Sequence, residues 1–177
     1  ELTQSIQSGK LKVCVIGIII TMREDTLEEI PIYHPLLKTK LEHVKVIHCI
    51  LFHKNKILLL QRNQGMRYYP GYWSGVCGIV DEHVQMQDRV LVKVEEETGI
   101  SKKDSKIITQ TNQIEFAEKI YGKIWEINPF LLEVKPKKLH FDWNCQDHIW
   151  VSLEESLEYN VLPAFKEVLG ALFPGKV

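Results

Sequence analysis

Three consecutive glutamates, Glu95–Glu97, stand directly before Thr98 and Gly99 at the end of a stretch with helical periodicity. The carboxyl end of a helix carries partial negative charge, so acidic side chains there need a cation, a basic side chain or solvent to offset them. Carboxylate oxygens are also the ligands that Mg²⁺ prefers, and Mg²⁺ commonly joins protein acids to a substrate phosphate. The run therefore predicts either a divalent-cation site or a solvated charged surface, and composition alone favours the surface.

One helix must position these glutamates. It is predicted over 85–98, because Met86, Val90 and Val94 recur at i, i+4 and i+8 and form one apolar face. Gly99 follows the last turn, where glycine commonly ends a helix in the left-handed conformation. The glutamates therefore lie in the last turn of an amphipathic helix, close to its carboxyl end.

Strands surround this helix. Apolar runs at 44–52 and 56–61 predict a β-hairpin in which Asn55 adopts a positive φ. Further strands are predicted at 72–80, 106–116, 120–134 and 148–151, with Pro129 marking a bulge or an edge position in the third of these. A capping box at 152–155 opens a short helix, and a last helix is predicted over 163–173. The predicted fold class is α+β, a mixed β-sheet packed between helices.

Composition restricts the partners. The chain has 177 residues, of which 45% are apolar and 25% charged, as in an ordinary globular protein. Its 22 basic and 23 acidic residues give a net charge of −1, so neither an extended nucleic acid nor an anionic membrane is an expected partner. The longest apolar run, Val13–Ile20, is too short to span a bilayer and predicts a buried strand.

Residues 1–43 carry no recognisable motif and are predicted to be an N-terminal extension, with a strand over 11–21 and a connector over 22–42. They either add strands to the sheet or form a contact in a homodimer. Four cysteines, at positions 14, 49, 77 and 145, form no C-x-x-C pair. They are interpreted as reduced thiols, which predicts a cytoplasmic protein.

Residues 78–100 resemble the signature of the Nudix hydrolases, G-x5-E-x7-R-E-U-x-E-E-x-G-U, where U is aliphatic. The matching residues are Gly78, Val94, Glu96, Glu97, Gly99 and Ile100. The preceding strand KILLLQR and the approach PGYWSGVCG are similar to the family's pattern as well. The resemblance covers about 44–173 and implies a Nudix-type α/β/α sandwich domain over 44–177.

Three signature positions differ from the pattern: Val84 and Val92 replace the first Glu and the Arg, and Lys93 replaces the next Glu. In the family that last Glu holds the catalytic cations together with the residues at the positions of Glu96 and Glu97. Because i, i+3 and i+4 are neighbours on a helix, we expect Lys93 to contact one of these two glutamates and to weaken cation binding. The two valines are predicted to form a buried apolar pair in place of an ion pair.

The resemblance implies a hydrolase of a nucleoside diphosphate linked to another moiety, acting on the pyrophosphate bond with Mg²⁺ or Mn²⁺. The alternative is a catalytically inactive Nudix-fold module that binds a nucleotide or a protein. Glu96 and Glu97 are the implied catalytic metal ligands, together with the backbone carbonyl of Cys77. The predicted substrate-binding residues are Arg62 and Arg67 for phosphate, Trp73 for stacking on a base, and Asp147 as a further acid. His48 is interpreted as a packed core histidine.

Overall fold

The computed structural model describes residues 5–7, 10–15, 18–23, 41–80, 85–136 and 138–177. The chain divides into two compact units, 1–40 and 41–177. In the first unit, strands β1 (Ser5–Gln7), β2 (Lys10–Val15) and β3 (Ile18–Arg23) form an antiparallel sheet in that order. The single strand predicted over 11–21 is therefore two strands, and most of the predicted connector lies outside the described residues.

The second unit is built on a mixed sheet to which its described residues contribute eight strands. The central order is β11-β5-β4-β10-β8, with β6 paired to β5, β7 to β4 and β9 to β10. β4 and β10 are parallel, and the other pairs are antiparallel. The strands are β4 (Glu42–His53), β5 (Lys56–Arg62), β6 (Trp73–Ser74), β7 (Val76–Ile79), β8 (Ser105–Gln110), β9 (Ile114–Glu118), β10 (Lys123–Val134) and β11 (Cys145–Val151).

Three described helices accompany the sheet: α1 (Met86–Thr98), α2 (Leu153–Ser156) and α3 (Phe165–Leu172), and a 3₁₀ turn spans Lys102–Asp104. α1 ends at Gly99, which has a φ of 71° and donates its N–H to the carbonyl of Glu95 at 2.9 Å. No helix in the described part of the chain is long and apolar enough to cross a bilayer.

Two local predictions are confirmed. The hairpin between β4 and β5 turns at Lys54 and Asn55, which both have positive φ angles, 48° and 62°. The capping box is present at α2, where the Ser152 hydroxyl accepts from the Glu155 N–H and the Glu155 carboxylate accepts from the Ser152 N–H. Both features depend only on neighbours in the sequence, so the sequence alone predicts them.

The two faces of the sheet each bury an apolar layer. On one face, Val90 and Val94 of α1 pack in one cluster with Ile47 and Leu51 of β4. On the other face, alternate residues of the same strands pack against α3 through Phe165, Val168 and Leu169. Because successive side chains of a strand point to opposite faces of the sheet, the same strands pack against α1 on one face and α3 on the other. This arrangement confirms the predicted fold class, a mixed sheet between helices.

Of the two alternatives predicted for the strand that contains Pro129, the edge position is wrong and the bulge agrees with a register irregularity between Leu131 and Leu132. β10 is a central strand, because it pairs with β4 on one side and with β8 and β9 on the other. β9 pairs with 123–127 and β8 with 130–134, so Pro129 falls where the antiparallel partner changes, and it pairs with His48 of β4 on the other side. The strand predicted over 106–116 is accordingly two strands.

Candidate functional site

Lys93 lies in contact with both signature glutamates at the end of α1. Its Nζ is 2.8 Å from Oε1 of Glu97 and 3.9 Å from Oε2 of Glu96. Arg89, one turn earlier, places Nη1 3.5 Å from Oε1 of Glu96. The predicted contact of Lys93 is thus confirmed, and both carboxylates are paired with cationic side chains of their own helix. Lys93, Glu96 and Glu97 are called the cavity cluster below.

Glu97 is the buried member of the cavity cluster. Its side chain is 12% exposed, whereas the side chain of Glu96 is 49% exposed. Burial raises the pKa of Glu97, the ammonium of Lys93 opposes this shift, and Asp142 and Arg62 act more weakly in opposite directions. A buried carboxylate is strongly destabilised without a partner. Lys93 is therefore the main stabilising contact of ionised Glu97.

Gly78 makes room for the stem of Lys93. A Cβ at position 78 would lie 3.1 Å from Cε, 3.2 Å from Cγ and 3.3 Å from Cδ of that lysine. The aliphatic stem therefore packs on the backbone of β7, and the side chain is only 15% exposed. The ammonium is held in place by this packing as well as by Glu97.

A cavity of about 330 Å³ opens beside the cavity cluster. Its wall combines charged and aromatic side chains, a composition that suits a ligand with an anionic group and an apolar ring. The charged lining residues are Arg62, Arg89, Lys93 and Glu97, and the aromatic ones are Tyr68, Tyr69, Phe116 and Trp125. Asn144, Cys77 and His48 also contribute to the lining.

The aromatic wall is a connected cluster. The rings of Tyr68 and Trp125 lie edge to face at 5.1 Å, and those of Tyr69 and Tyr121 at 5.0 Å. Tyr69 has a positive φ of 49°, and its hydroxyl donates to Glu118 at 3.2 Å. Burial, and next the charge of Glu118, raise the pKa of Tyr69, so it is a neutral donor. The indole N–H of Trp125 lies close enough to Tyr69 to lower that pKa, but its geometry is not that of a hydrogen bond.

Two further titratable groups in the wall are uncharged at neutral pH. His48 is 4% exposed, and burial, with a smaller contribution from Arg62, lowers its pKa to about 4. Its Nε2 accepts a hydrogen bond from the Gly75 N–H at 3.3 Å, as expected for a packed histidine. Burial raises the pKa of the Cys77 thiol to about 12. Neither group adds a charge to the cavity.

The structure brings only some of the sequence-predicted residues to this cavity. Arg62, Cys77 and Glu97 line it, and Arg62 is oriented by donating from Nε to the carbonyl of Tyr68 at 3.0 Å. Glu96 is not a lining residue, although it contacts Lys93 and Arg89.

The other three predicted substrate-binding residues lie outside the lining. Arg67 is exposed and holds its guanidinium 5.2 Å from the ring centre of Tyr68. Trp73 packs edge to face on Tyr159 at 5.1 Å, within the apolar layer that contains α3. Asp147 is exposed, and its Oδ1 accepts from the His148 N–H at 2.8 Å.

Three polar residues near the cluster are missed by the sequence interpretation: Arg89, Asp142 and Asn144. Arg89 stands four residues before Lys93, so helical spacing could have identified it. Asp142 accepts from the Asn144 amide at 2.7 Å, and both line a smaller cavity of about 40 Å³ that reaches Glu97. No sequence signal connects them to α1, because tertiary packing brings this loop to the helix.

The predicted valine pair is not resolved by the described residues. Val92 is half-buried on α1, and Val84 lies outside the described residues. The contact between them stays a prediction.

A second group of potential metal ligands lies on the sheet and does not line the cavity. His43, Glu115 and Glu126 come from β4, β9 and β10, and their ligand atoms lie within 4.8 Å of one another. Nδ1 of His43 is 2.7 Å from Oε1 of Glu126. These three residues are called the sheet cluster below.

A sequence model of the NUDIX domain matches residues 42–171, most of the second unit. The chain belongs to the Nudix family. The family match agrees with the signature at 78–100 and with the mixed sheet between helices. None of the curated proteins compared with this sequence is a significant match.

Solved Nudix structures share the fold. An Ap4A hydrolase from C. elegans in a binary complex has a TM-score of 0.61 and 20% identity, over 73% of this chain and 94% of that one. A MutT protein from Methanosarcina mazei Go1 has a TM-score of 0.59 and 23% identity, over 71% and 88%. A NUDIX hydrolase from Nitrosomonas europaea has a TM-score of 0.63 and 16% identity, over 76% and 91%.

Nudix hydrolases generally use divalent metal ions. The residues of the cavity cluster do not fit such an ion in their observed arrangement. An ammonium occupies the contact position of Glu97, and Glu96 is shared between Lys93 and Arg89. A divalent cation placed among them would meet a positive charge at close range, which disfavours its binding.

Proposed function

We propose that this chain is a Nudix hydrolase that cleaves the pyrophosphate bond of a nucleoside diphosphate linked to another moiety, with a turnover below the ordinary range of enzymes. The observation that carries the proposal is the cavity, which combines three cationic side chains with an aromatic wall in a Nudix domain. The cations suit the diphosphate and the wall suits a base. Free thiols at Cys49, Cys77 and Cys145 favour a cytoplasmic location.

Residues in and beside the cavity have specific roles in this proposal. Arg62 binds a phosphate oxygen, because its Nε bond to Tyr68 fixes the guanidinium at the cavity wall. Tyr68 and Trp125 hold the base. Glu96, Glu97 and the carbonyl of Cys77 would hold Mg²⁺ or Mn²⁺ only when Lys93 releases the two carboxylates that it contacts. This competition is the reason for the low turnover.

A second candidate function is a non-catalytic module that binds the same nucleotide class. The Lys93–Glu97 ion pair favours it, because the buried carboxylate already has a cationic partner without any metal. Both candidates place the ligand in the cavity and differ only in whether its pyrophosphate bond is cleaved.

Product analysis separates the two candidates. ADP-ribose, UDP-glucose and diadenosine tetraphosphate, the last because one structural neighbour is named as its hydrolase, are incubated with the protein in Mg²⁺, Mn²⁺ or EDTA. We expect cleavage of at least one compound with Mn²⁺ at well below ~1 s⁻¹. Glu97→Gln should abolish it, whereas Glu167→Gln, at an exposed position of α3, should not. Binding without cleavage would favour the second candidate, and rates of about 1–10 s⁻¹ would contradict the low turnover.

A further inference from the structure

We infer that Lys93 serves as a built-in cation of the cavity, so that the phosphate groups of the ligand bind there without a divalent metal ion. The inference rests on the proposed function, because it takes the cavity as the ligand site. It follows from the disagreement between the family's use of metal ions and the residues present in this chain. Three observations carry it: the position of the ammonium, its attachment and the charge of the cavity wall.

The position of the ammonium comes first. Nζ of Lys93 contacts Glu97 at 2.8 Å and Glu96 at 3.9 Å, so it lies between the two carboxylates that the signature assigns to metal binding. Lys93 and Glu97 both line the cavity. An ammonium has three donors, and contacts to two carboxylates leave donor capacity for a phosphate oxygen.

The packing of the Lys93 side chain holds the ammonium at one position in the cavity. Its stem packs on Gly78, where a Cβ would approach the lysine carbons to 3.1–3.3 Å. The side chain is 15% exposed, unlike a surface lysine that samples many rotamers. A pre-positioned cation loses little side-chain entropy when a ligand arrives, which favours binding.

The charge of the wall has the sign that an anion requires. Arg62, Arg89 and Lys93 line the cavity with the carboxylate of Glu97, and Glu96 contacts Arg89 and Lys93 from outside the lining, which leaves an excess of one positive charge. His48 and Cys77 in the same wall are uncharged at neutral pH. A carboxylate-rich metal site would carry the opposite sign. A phosphate therefore experiences attraction in this cavity before any metal ion is added.

Titration calorimetry of the full chain with ADP and with inorganic pyrophosphate, each in EDTA and in Mg²⁺, tests the inference. We expect the dissociation constants of the wild type in the two buffers to agree within about threefold, since the protein supplies its own cation. Lys93→Met should weaken binding in EDTA about tenfold or more, because a charged hydrogen-bond donor is lost. Lys93→Arg keeps the charge and should retain most of the affinity.

A matched control is Lys166→Met, an exposed lysine of α3 that does not line the cavity, which should bind as the wild type does. Melting temperatures establish that each variant is folded. Binding of ADP by the wild type only when Mg²⁺ is present would overturn the inference and leave the proposed function standing. Unchanged affinity of folded Lys93→Met in EDTA would also overturn it. Absence of binding of both probes in both buffers would overturn the proposed function itself.

Discussion

The cavity cluster and the sheet cluster both join two glutamates to a basic side chain, but they neutralise charge differently. In the cavity cluster, the ammonium of Lys93 lies 2.8 Å from a carboxylate that is almost fully buried. In the sheet cluster, Glu115 stands directly opposite Glu126 on the neighbouring strand, and Nδ1 of His43 lies 2.7 Å from Oε1 of Glu126. In the first cluster each carboxylate has a cationic partner on the same helix. In the second cluster one carboxylate faces another carboxylate.

Burial explains the difference. Water screens the exposed carboxylate of Glu115 and reaches part of the half-buried Glu126, so a mismatch of charge in the sheet cluster costs little free energy. Glu97 has no such screening, and an unpaired charge at its position would be strongly destabilising. Lys93 gives Glu97 a fixed cationic partner on its own helix. The comparison supports the proposal that this lysine stabilises the folded chain and weakens metal binding.

The largest expected effect comes from Lys93→Glu, which makes the cavity cluster resemble the sheet cluster. Glu97 loses its ammonium and gains a like charge one turn away, so the free energy of unfolding in EDTA should fall by about 3–5 kcal/mol. The new carboxylate should also create a cation site, because binding to the folded state alone stabilises it. Thermal unfolding with increasing Mn²⁺ should then show a rise of about 5 °C or more for this variant.

Lys93→Met is the control for this experiment, since it removes the ammonium without adding a carboxylate. It should lose a similar amount of stability in EDTA and gain less from Mn²⁺ than Lys93→Glu does. A wild-type protein that gains as much from Mn²⁺ as Lys93→Glu would show that the lysine does not exclude the cation.

Sequence patterns predicted the features that depend on near neighbours. The helix over 85–98, its end at Gly99 and the contact of Lys93 with the glutamates all follow from residues within one or two turns. The Asn55 turn follows from a local conformational preference. In each case, the residues that determine the structure are adjacent in the chain.

Features that depend on distant residues were predicted less well. Trp73 packs on Tyr159, a contact that spans more than eighty residues and that no local pattern indicates. The segment 106–116 is divided into two strands because β8 and β9 pair with different parts of β10. The sequence of 106–116 does not determine that register. Similarly, Asn144 reaches the cavity from a loop near β11. The sequence predicts the contacts of the cavity cluster, whereas the residues that line the cavity are known only from the fold.

Two histidines of β4 extend the comparison, since His48 lies in the cavity wall and His43 in the sheet cluster. Burial lowers the pKa of His48 to about 4 from 6.5. The unfolded chain therefore binds this proton more tightly, and the stability contributed by neutral His48 is present above pH 6.5 and is lost as the pH falls toward 4. Between pH 7 and pH 5 the loss is about 2 kcal/mol. In urea unfolding, the free energy of unfolding of His48→Gln should therefore fall by about 2 kcal/mol less between pH 7 and pH 5 than that of the wild type.

Ile47→Val serves as the control for His48→Gln. Ile47 is equally buried and lies beside His48 on β4, but it carries no titratable group. Its replacement should cost about 1 kcal/mol at both pH values and leave the pH dependence unchanged. If His48→Gln also follows the wild-type dependence, the imidazole is not the group that senses acid in this range.

The smallest expected effect is in the sheet cluster, where Glu115→Gln removes one of two facing carboxylates. Like charges directly opposite on neighbouring strands are destabilising, so this variant should be more stable than the wild type by a few tenths of a kcal/mol up to about 1 kcal/mol. The matched control is Glu133→Gln on β10, because Glu133 is also exposed but faces Lys106. That replacement removes an attraction and should lower stability slightly. Both changes in stability should be smaller in 1 M NaCl, because the Debye length is then about 3 Å and interactions between exposed charges are screened. A loss of stability in Glu115→Gln at low salt would contradict a net repulsion between the two facing carboxylates, and the contrast with the cavity cluster would fall.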